Sequence, residues 1–112
     1  MKKVLIIDDE VDLCMMIKQF LTKRNYEVRV AHTLNDGLNH LNAITPDALI
    51  LDNNLPDGMG WDVAKSLREK YPEMKITLIS AYELSNDTKT RLGHSIQVLE
   101  KPISLVEIAQ HL

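Results

Sequence analysis

Five polar side chains follow directly after short apolar runs of the sequence: Asp8, Asp9, Asp52, Ser80 and Lys101. Carboxylate oxygens are ligands for hard divalent cations, and a carboxylate can also act as a nucleophile that attacks phosphorus. An ammonium group can hold a phosphoryl oxygen. If these side chains meet in the fold, the sequence predicts a site for metal-assisted phosphoryl transfer.

The apolar runs before these residues are short and rich in branched side chains. Residues 4–7 form a continuous apolar run that ends in acids, which is typical of a strand buried on both faces of a parallel sheet. Similar runs predict further strands at residues 28–31, 47–51, 76–79 and 96–99.

Helical periodicity separates the predicted strands. Leu13 and Ile17 share one face of a first helix, and Thr33 is the predicted N-cap of a second. A third helix follows the turn-forming run LPDGMG. Ser104 and Glu107 form a capping box at the start of a short last helix.

The segment between Ser80 and the fifth strand has only Leu84 and Leu92 as sizeable aliphatic anchors for a fourth helix. We therefore expect this helix to be short or labile, because low local burial makes a segment easy to reorganise.

The strict alternation of strand and helix predicts an α/β fold, a five-stranded parallel sheet with helices on both faces and right-handed crossovers. Ligands of such sheets bind at the carboxyl ends of the strands. Because Asp8, Asp9, Asp52, Ser80 and Lys101 each follow a strand, they converge on this edge.

Three converging carboxylates repel one another. Two like charges ~4 Å apart cost roughly 4 kcal/mol at an effective dielectric constant of about 20. A divalent cation would relieve this repulsion, and oxygen-only ligands select Mg²⁺. Asp52 can then be the nucleophile, with Lys101 holding a phosphoryl oxygen from another side.

The stretches VLIIDDE, LILDNNLPDGMGWD, LISAY and VLEKP resemble the signature blocks of bacterial response-regulator receiver domains. The resemblance covers nearly the whole chain and implies a doubly wound, flavodoxin-like fold. It implies that Asp52 is the phosphoacceptor, that Asp9 and the backbone carbonyl of Asn54 join it on Mg²⁺, and that Asp8 helps through water. It also implies that Ser80 moves to contact the phosphoryl group and that Lys101 precedes a cis proline.

One position departs from the family pattern. Receivers often carry an aromatic residue three positions before the lysine, and here that residue is Val98. Either Tyr82 takes over the role of the ring, or the output runs through backbone shifts.

Each residue also has a simpler interpretation. Paired acids often lie in a solvated loop, and Asp9 could cap the first helix. Ser80 could be a strand-end hydroxyl bonded to backbone, and Lys101 a surface lysine. Two whole-chain alternatives fit less well. A haloacid-dehalogenase-like phosphohydrolase needs a second aspartate where this chain has Asn54. The second alternative is an interaction module that has lost the chemistry, and the intact set of Asp8, Asp9, Asp52, Ser80 and Lys101 argues against it.

Composition limits the remaining function classes. A chain of 112 residues suits one domain, and 16 acidic against 13 scattered basic residues disfavour direct nucleic-acid binding. The single cysteine and the absence of a long apolar segment favour the cytoplasm without membrane contact.

We expect a signalling phosphoacceptor rather than an enzyme, served by a histidine kinase or a histidine phosphotransfer protein. Met15 points away from the apolar stripe of the first helix and marks a candidate docking face. The abrupt end of the last helix suggests a domain excised from a larger regulator or hybrid kinase, with an output domain or a homodimer as possible partners.

Overall fold

The computed structural model describes residues 1–93 and 95–112, in which strands and helices alternate as predicted. The strands are β1 (Lys2–Ile7), β2 (Tyr26–Ala31), β3 (Ala48–Asp52), β4 (Asn54–Leu55), β5 (Gly58–Met59), β6 (Lys75–Ser80) and β7 (Ile96–Glu100). The helices are α1 (Val11–Thr22), α2 (Leu34–Ile44), α3 (Gly60–Lys70), α4 (Asn86–Leu92) and α5 (Leu105–Gln110).

The five long strands form one parallel sheet in the order β2-β1-β3-β6-β7. This confirms the predicted five-stranded parallel sheet. The chain runs outward from β1 to β2 and then returns to β3 on the other side, so the strand order reverses between β1 and β3. In doubly wound sheets a ligand crevice lies at the carboxyl ends of the strands at such a reversal.

Both faces of the sheet are covered by helices. Leu5 and Ile7 of β1 belong to a core with buried side chains of α2, α3 and α4, whereas Val4 and Ile6 belong to a core with buried side chains of α1 and α5. Successive side chains of a strand point to opposite faces. A strand between two cores must be apolar at every position, which is why β1 and β3 have continuous apolar runs.

The helix termini follow the predicted signals. The Thr33 hydroxyl accepts a hydrogen bond from the Asp36 N–H at 3.1 Å, and the Ser104 hydroxyl accepts one from the Glu107 N–H at 3.4 Å. Helix α4 has seven residues, which confirms that it is short. The Lys101–Pro102 bond is cis, as the resemblance implied.

Two details differ from the sequence expectation. Strands β1 and β2 begin two residues early, because Lys2 and Tyr26 pair as backbone although they interrupt the apolar pattern. The run LPDGMG forms more than a turn, since Asn54–Leu55 and Gly58–Met59 pair as an antiparallel hairpin. Among the described residues, no helix is both long enough and apolar enough to cross a bilayer.

Candidate functional site

Three carboxylates meet at the carboxyl ends of β1 and β3. One carboxylate oxygen from each of Asp8, Asp9 and Asp52 lies within 4.8 Å of the other two. The two strands pair with Ile7 opposite Leu51, so the next residues, Asp8 and Asp52, reach the same place. Asp8 and Asp52 are buried, with exposed fractions of 1% and 2%, and Asp9 is exposed.

Backbone and side-chain contacts hold Asp8 in position from several elements. Its N–H donates to the Ala31 carbonyl, and its own carbonyl accepts from the Cys14 thiol at 3.3 Å and lies 2.9 Å from Nδ1 of His32. Burial raises the pKa of Cys14 to about 12, so the thiol stays protonated and donates. Cys14 therefore supports the site, a role that no motif in the sequence signals.

The N-terminus of α1 bears on the simpler interpretation of Asp9. The N-cap residue is Glu10, and its side chain makes no capping hydrogen bond. Instead the Glu10 N–H donates to Oδ1 of Asp8 at 2.9 Å. The interpretation of Asp9 as a helix cap is therefore wrong.

Lys101 places its ammonium group among the acids. Its Nζ lies 3.5 Å from Oδ2 of Asp8, 3.3 Å from Oε1 of Glu10 and 3.7 Å from Oδ1 of Asp52. Burial lowers the pKa of Lys101, but the charges of Asp8, Asp52 and Glu10 outweigh burial and raise the pKa above its ordinary value. The alternative of a surface lysine is wrong, because the side chain is 16% exposed and carries a fixed positive charge into the site.

One lysine does not compensate the buried acids. Burial, followed by the charge of Asp8, raises the pKa of Asp52 to about 6. Burial also raises the pKa of Asp8, although the Glu10 N–H and Lys101 act in the opposite direction. Oδ2 of Asp8 is buried and accepts no hydrogen bond from the described residues. This oxygen has an ion pair with Lys101 at 3.5 Å but no hydrogen bond within the described residues, and it lies beside two further carboxylates, a setting that fits a hard divalent cation.

Asn54 contacts Asp52, and Ser80 follows Ile79, the residue that pairs with Asp52 in the sheet. The Asn54 N–H donates to Oδ1 of Asp52 at 3.4 Å. The buried Ser80 hydroxyl donates to the Tyr82 carbonyl at 2.5 Å and accepts from the Tyr82 N–H at 3.2 Å. Ser80 is therefore a strand-end hydroxyl bonded to backbone in this structure, which agrees with its simpler interpretation. The Tyr82 side chain is 76% exposed, so its ring is not packed inward beside the half-buried Val98.

The residue after Asp52 fixes the start of α3. Asn53 is buried, its N–H donates to the Ile79 carbonyl at 2.7 Å, and its Oδ1 accepts from the Trp61 N–H at 3.0 Å. A Cβ atom on Gly60 would lie 2.6 Å from the Asp52 carbonyl oxygen, so only glycine allows this approach. Neither role could be found from the sequence, since each depends on the path of the loop.

The whole arrangement can be compared with known proteins. Residues 4–112 match the family model of the response regulator receiver domain. The chain belongs to this family. The match confirms the resemblance and sets aside the haloacid-dehalogenase-like alternative.

Two kinds of similar protein agree with this membership. The transcriptional regulatory protein TrcR of Mycobacterium tuberculosis is 30% identical over 111 residues, which are 98% of this chain and 43% of TrcR. A CheY-like receiver domain structure from Methanospirillum hungatei has 25% identity and a TM-score of 0.87, covering 98% of this chain and 89% of that chain. The response regulator TrrA from Thermotoga maritima, in complex with Mg(2+)-BeF, has 27% identity and a TM-score of 0.83, covering 98% and 95%.

The receiver family consists of phosphoacceptor signalling domains of two-component systems, and this chain has that role. The acid cluster is compatible with a divalent metal. The chain spans 43% of the lengths of TrcR and of RegA of Rhodovulum sulfidophilum, and 24% of that of PilR of Pseudomonas aeruginosa.

Proposed function

We propose that Asp52 of this receiver accepts a phosphoryl group from the phosphohistidine of a histidine kinase or a phosphotransfer protein. The observation that carries the proposal is the cluster of three carboxylates within 4.8 Å, in which a buried oxygen of Asp8 accepts no hydrogen bond from the described residues and has an ion pair with Lys101 at 3.5 Å. Burying carboxylates is unfavourable unless opposite charges or hydrogen bonds compensate them, and Lys101 supplies one positive charge against three carboxylates. A cluster of this kind therefore favours binding over a purely structural role.

Magnesium is the proposed metal. Carboxylate oxygens of Asp9 and Asp52 with the backbone carbonyl of Asn54, and Asp8 through water, would form an oxygen-only ligand set of the type that Mg²⁺ prefers. The complex of TrrA with Mg(2+)-BeF supports this choice in a relative. A bound Mg²⁺ would neutralise negative charge on the oxygens of the phosphoryl group during transfer.

Asp52 is suited to act as the nucleophile. With a pKa of about 6 its carboxylate is mostly ionised at pH 7. A carboxylate oxygen forms a bond to phosphorus while the nitrogen–phosphorus bond of the donor histidine breaks. The imidazole leaves and takes up a proton, and the product is an aspartyl phosphate.

Ser80 and Lys101 would respond to the new charge of about −2. The Ser80 hydroxyl, now bonded to the Tyr82 carbonyl at 2.5 Å, would donate to a phosphoryl oxygen instead. Lys101, within 3.7 Å of Asp52, would contact the same group. The loss of the Ser80 bond frees the Tyr82 backbone, so the segment leading to α4 would rearrange.

This change serves partner binding rather than turnover of a separate substrate. We therefore propose a signalling domain that catalyses only its own phosphorylation and dephosphorylation. We also propose that it is part of a larger regulator or hybrid kinase. In this proposal the domain acts in the cytoplasm and contacts neither nucleic acid nor membrane directly. Its further partner is an output domain or a second copy of the chain. The small share of TrcR and PilR that the chain spans supports the larger regulator.

Helix α1 is the proposed docking face for the phosphodonor protein. Its side chains Val11, Met15 and Met16 are more than half exposed, at 52%, 55% and 54%. A Met15→Glu variant should slow transfer from a phosphodonor protein about tenfold, equivalent to ~1.4 kcal/mol, and leave phosphorylation by acetyl phosphate unchanged. Ala43→Glu, at an exposed position of α2, is the matched control. A normal transfer rate in Met15→Glu would contradict this docking face.

The proposed acceptor is tested by intact mass after incubation with Mg²⁺ and acetyl phosphate. We expect one phosphoryl adduct in the wild type, and no adduct in Asp52→Asn or in the presence of EDTA. If the folded wild type shows no adduct and does not bind beryllofluoride, the chain is an interaction module without the chemistry.

A further inference from the structure

The Asp57 side chain joins the β4–β5 hairpin to the N-terminus of α2. Its Oδ1 accepts a hydrogen bond from the Leu34 N–H at 2.7 Å, and its Oδ2 accepts one from the Asn35 N–H at 2.8 Å. The first N–H groups of a helix have no partner inside the helix. Asp57 satisfies two of them from a loop more than twenty residues further along the chain, while Thr33 satisfies a third.

Electrostatics reinforce this pair of hydrogen bonds. The bonds from Asn35 and Leu34 lower the pKa of Asp57, so its carboxylate is ionised at neutral pH. A negative charge at a helix N-terminus also interacts favourably with the helix dipole. Both carboxylate oxygens of Asp57 therefore help to hold the hairpin against the N-terminus of α2.

Close packing accompanies the hydrogen bonds. Leu55 of the hairpin and Leu34 of α2 are buried in the same core. A Cβ atom on Gly58 would approach the Leu34 side chain to 3.0 Å, which shows how near the hairpin lies to the helix. The hairpin is therefore in contact with α2 at its turn.

The other end of this loop is held by α3. Asn53 accepts hydrogen bonds from the Gly60 N–H at 2.9 Å and from the Trp61 N–H at 3.0 Å. Asn54 lies between these two attachments, and it pairs with Met59 across the hairpin. Its backbone position is thus determined by α3 on one side and by Asp57 on the other.

We propose that Asp57 is a positioning residue for the metal site, because its two hydrogen bonds to α2 hold the hairpin that carries Asn54. The inference rests on the proposed function, in which the Asn54 carbonyl is a metal ligand. Residues that orient a metal ligand without touching the metal commonly change metal affinity 10–100-fold when they are replaced. Asp57 acts in this way through the backbone.

The experiment compares Mg²⁺ affinity in the wild type, Asp57→Ala, Asp57→Asn and Thr33→Ala. Thr33→Ala removes a cap from the same helix but leaves the hairpin contacts, so it controls for a general loosening of α2. Trp61 is the only tryptophan of the chain, and its fluorescence is recorded while Mg²⁺ is titrated, with isothermal titration calorimetry as a second measure of affinity. Amide hydrogen exchange of Leu34 and Asn35, measured by NMR, reports the Asp57 contact independently of any metal.

We expect Asp57→Ala to weaken Mg²⁺ binding about tenfold and to accelerate exchange of both amides. Asp57→Asn, which keeps one oxygen acceptor, should restore part of the affinity, and Thr33→Ala should leave the affinity unchanged. The positioning role is overturned if Thr33→Ala weakens binding as much as Asp57→Ala, or if affinity is unchanged once amide protection is lost. It is also overturned if Asp57→Ala leaves both amides protected. A wild type that binds no Mg²⁺ overturns the proposed metal site itself, and the amide exchange then still reports whether the Asp57 contact exists.

Discussion

The half of the sheet that carries the acids and the half that carries Ser80 are built differently. Asp8 follows β1 and Asp52 is the last residue of β3, and the apolar residues of these strands are buried on both faces. Ser80 ends β6 and leads into a segment of mostly exposed residues and the seven-residue helix α4. Strand β6 is also buried between the two cores, so the difference lies in the segment after it, where only Leu84 and Leu92 of residues 81–93 are buried.

This difference separates binding from response. Ligand groups on densely packed strands are positioned before a ligand arrives, so less free energy is lost in ordering them. A segment with few buried side chains can change conformation at a low free-energy difference, which a two-state switch requires. The receiver thus combines a rigidly held acceptor, Asp52, with a segment around α4 that can reorganise easily.

The largest effect should come from core deletions in the two halves. Leu51 of β3 is fully buried and Leu84, before α4, is 8% exposed. We expect Leu51→Ala to lower the free energy of unfolding by ~3–5 kcal/mol and Leu84→Ala by ~2 kcal/mol or less, because a loop can close around the lost side chain. Urea denaturation followed by circular dichroism measures both. Equal losses would remove the distinction between the halves.

A smaller effect should come from neutralising the acceptor. Because the folded-state pKa of Asp52 is raised from 3.8 to about 6, the folded state binds more protons than the unfolded state between these values. Stability therefore falls as the pH rises through this interval, by ~2–3 kcal/mol for this group. Without divalent cations, Asp52→Asn should be more stable than the wild type by that amount at pH 7 to 8.

The stability difference between Asp52→Asn and the wild type should shrink as the pH falls from 6 towards 4, where Asp52 of the wild type is protonated. Urea denaturation at several pH values checks this. Glu27→Gln, at an exposed position of β2, is the control and should change stability by less than ~0.5 kcal/mol at every pH. A pH-independent difference would show that packing rather than charge distinguishes the variant.

The smallest effect should be confined to α4. The Ser85 hydroxyl accepts from the Thr88 N–H at 3.2 Å and caps this helix. Ser85→Ala should destabilise the helix by ~1 kcal/mol. Amide exchange in α4 should accelerate while exchange in β3 stays unchanged. If β3 amides accelerate equally, α4 opens only with the whole domain and cannot serve as a separate switch.

The convergence of the acids could be predicted from the sequence because it depends only on the order and direction of the strands. Once parallel strands are assigned, Asp8, Asp52 and Lys101 must share an edge, whatever the side-chain details. The contacts of Asp57, Asn53 and Cys14 depend on distances between segments far apart in the chain, so no local pattern reveals them. Ser80 is intermediate between the predictable and the unpredictable residues. Its hydrogen bonds to the Tyr82 backbone are local, and serine side chains commonly bond to backbone groups nearby in the sequence.

The strand order β2-β1-β3-β6-β7 has a consequence for folding. Every pairing in this sheet joins segments separated by a helix, and such non-local pairings form slowly. Asp9 follows β1 and Lys101 follows β7, near opposite ends of the chain, so no partly folded species that lacks either of these strands can assemble the acids with the lysine. The site is therefore among the last features to form, and a ligand that binds there would favour the complete fold by mass action.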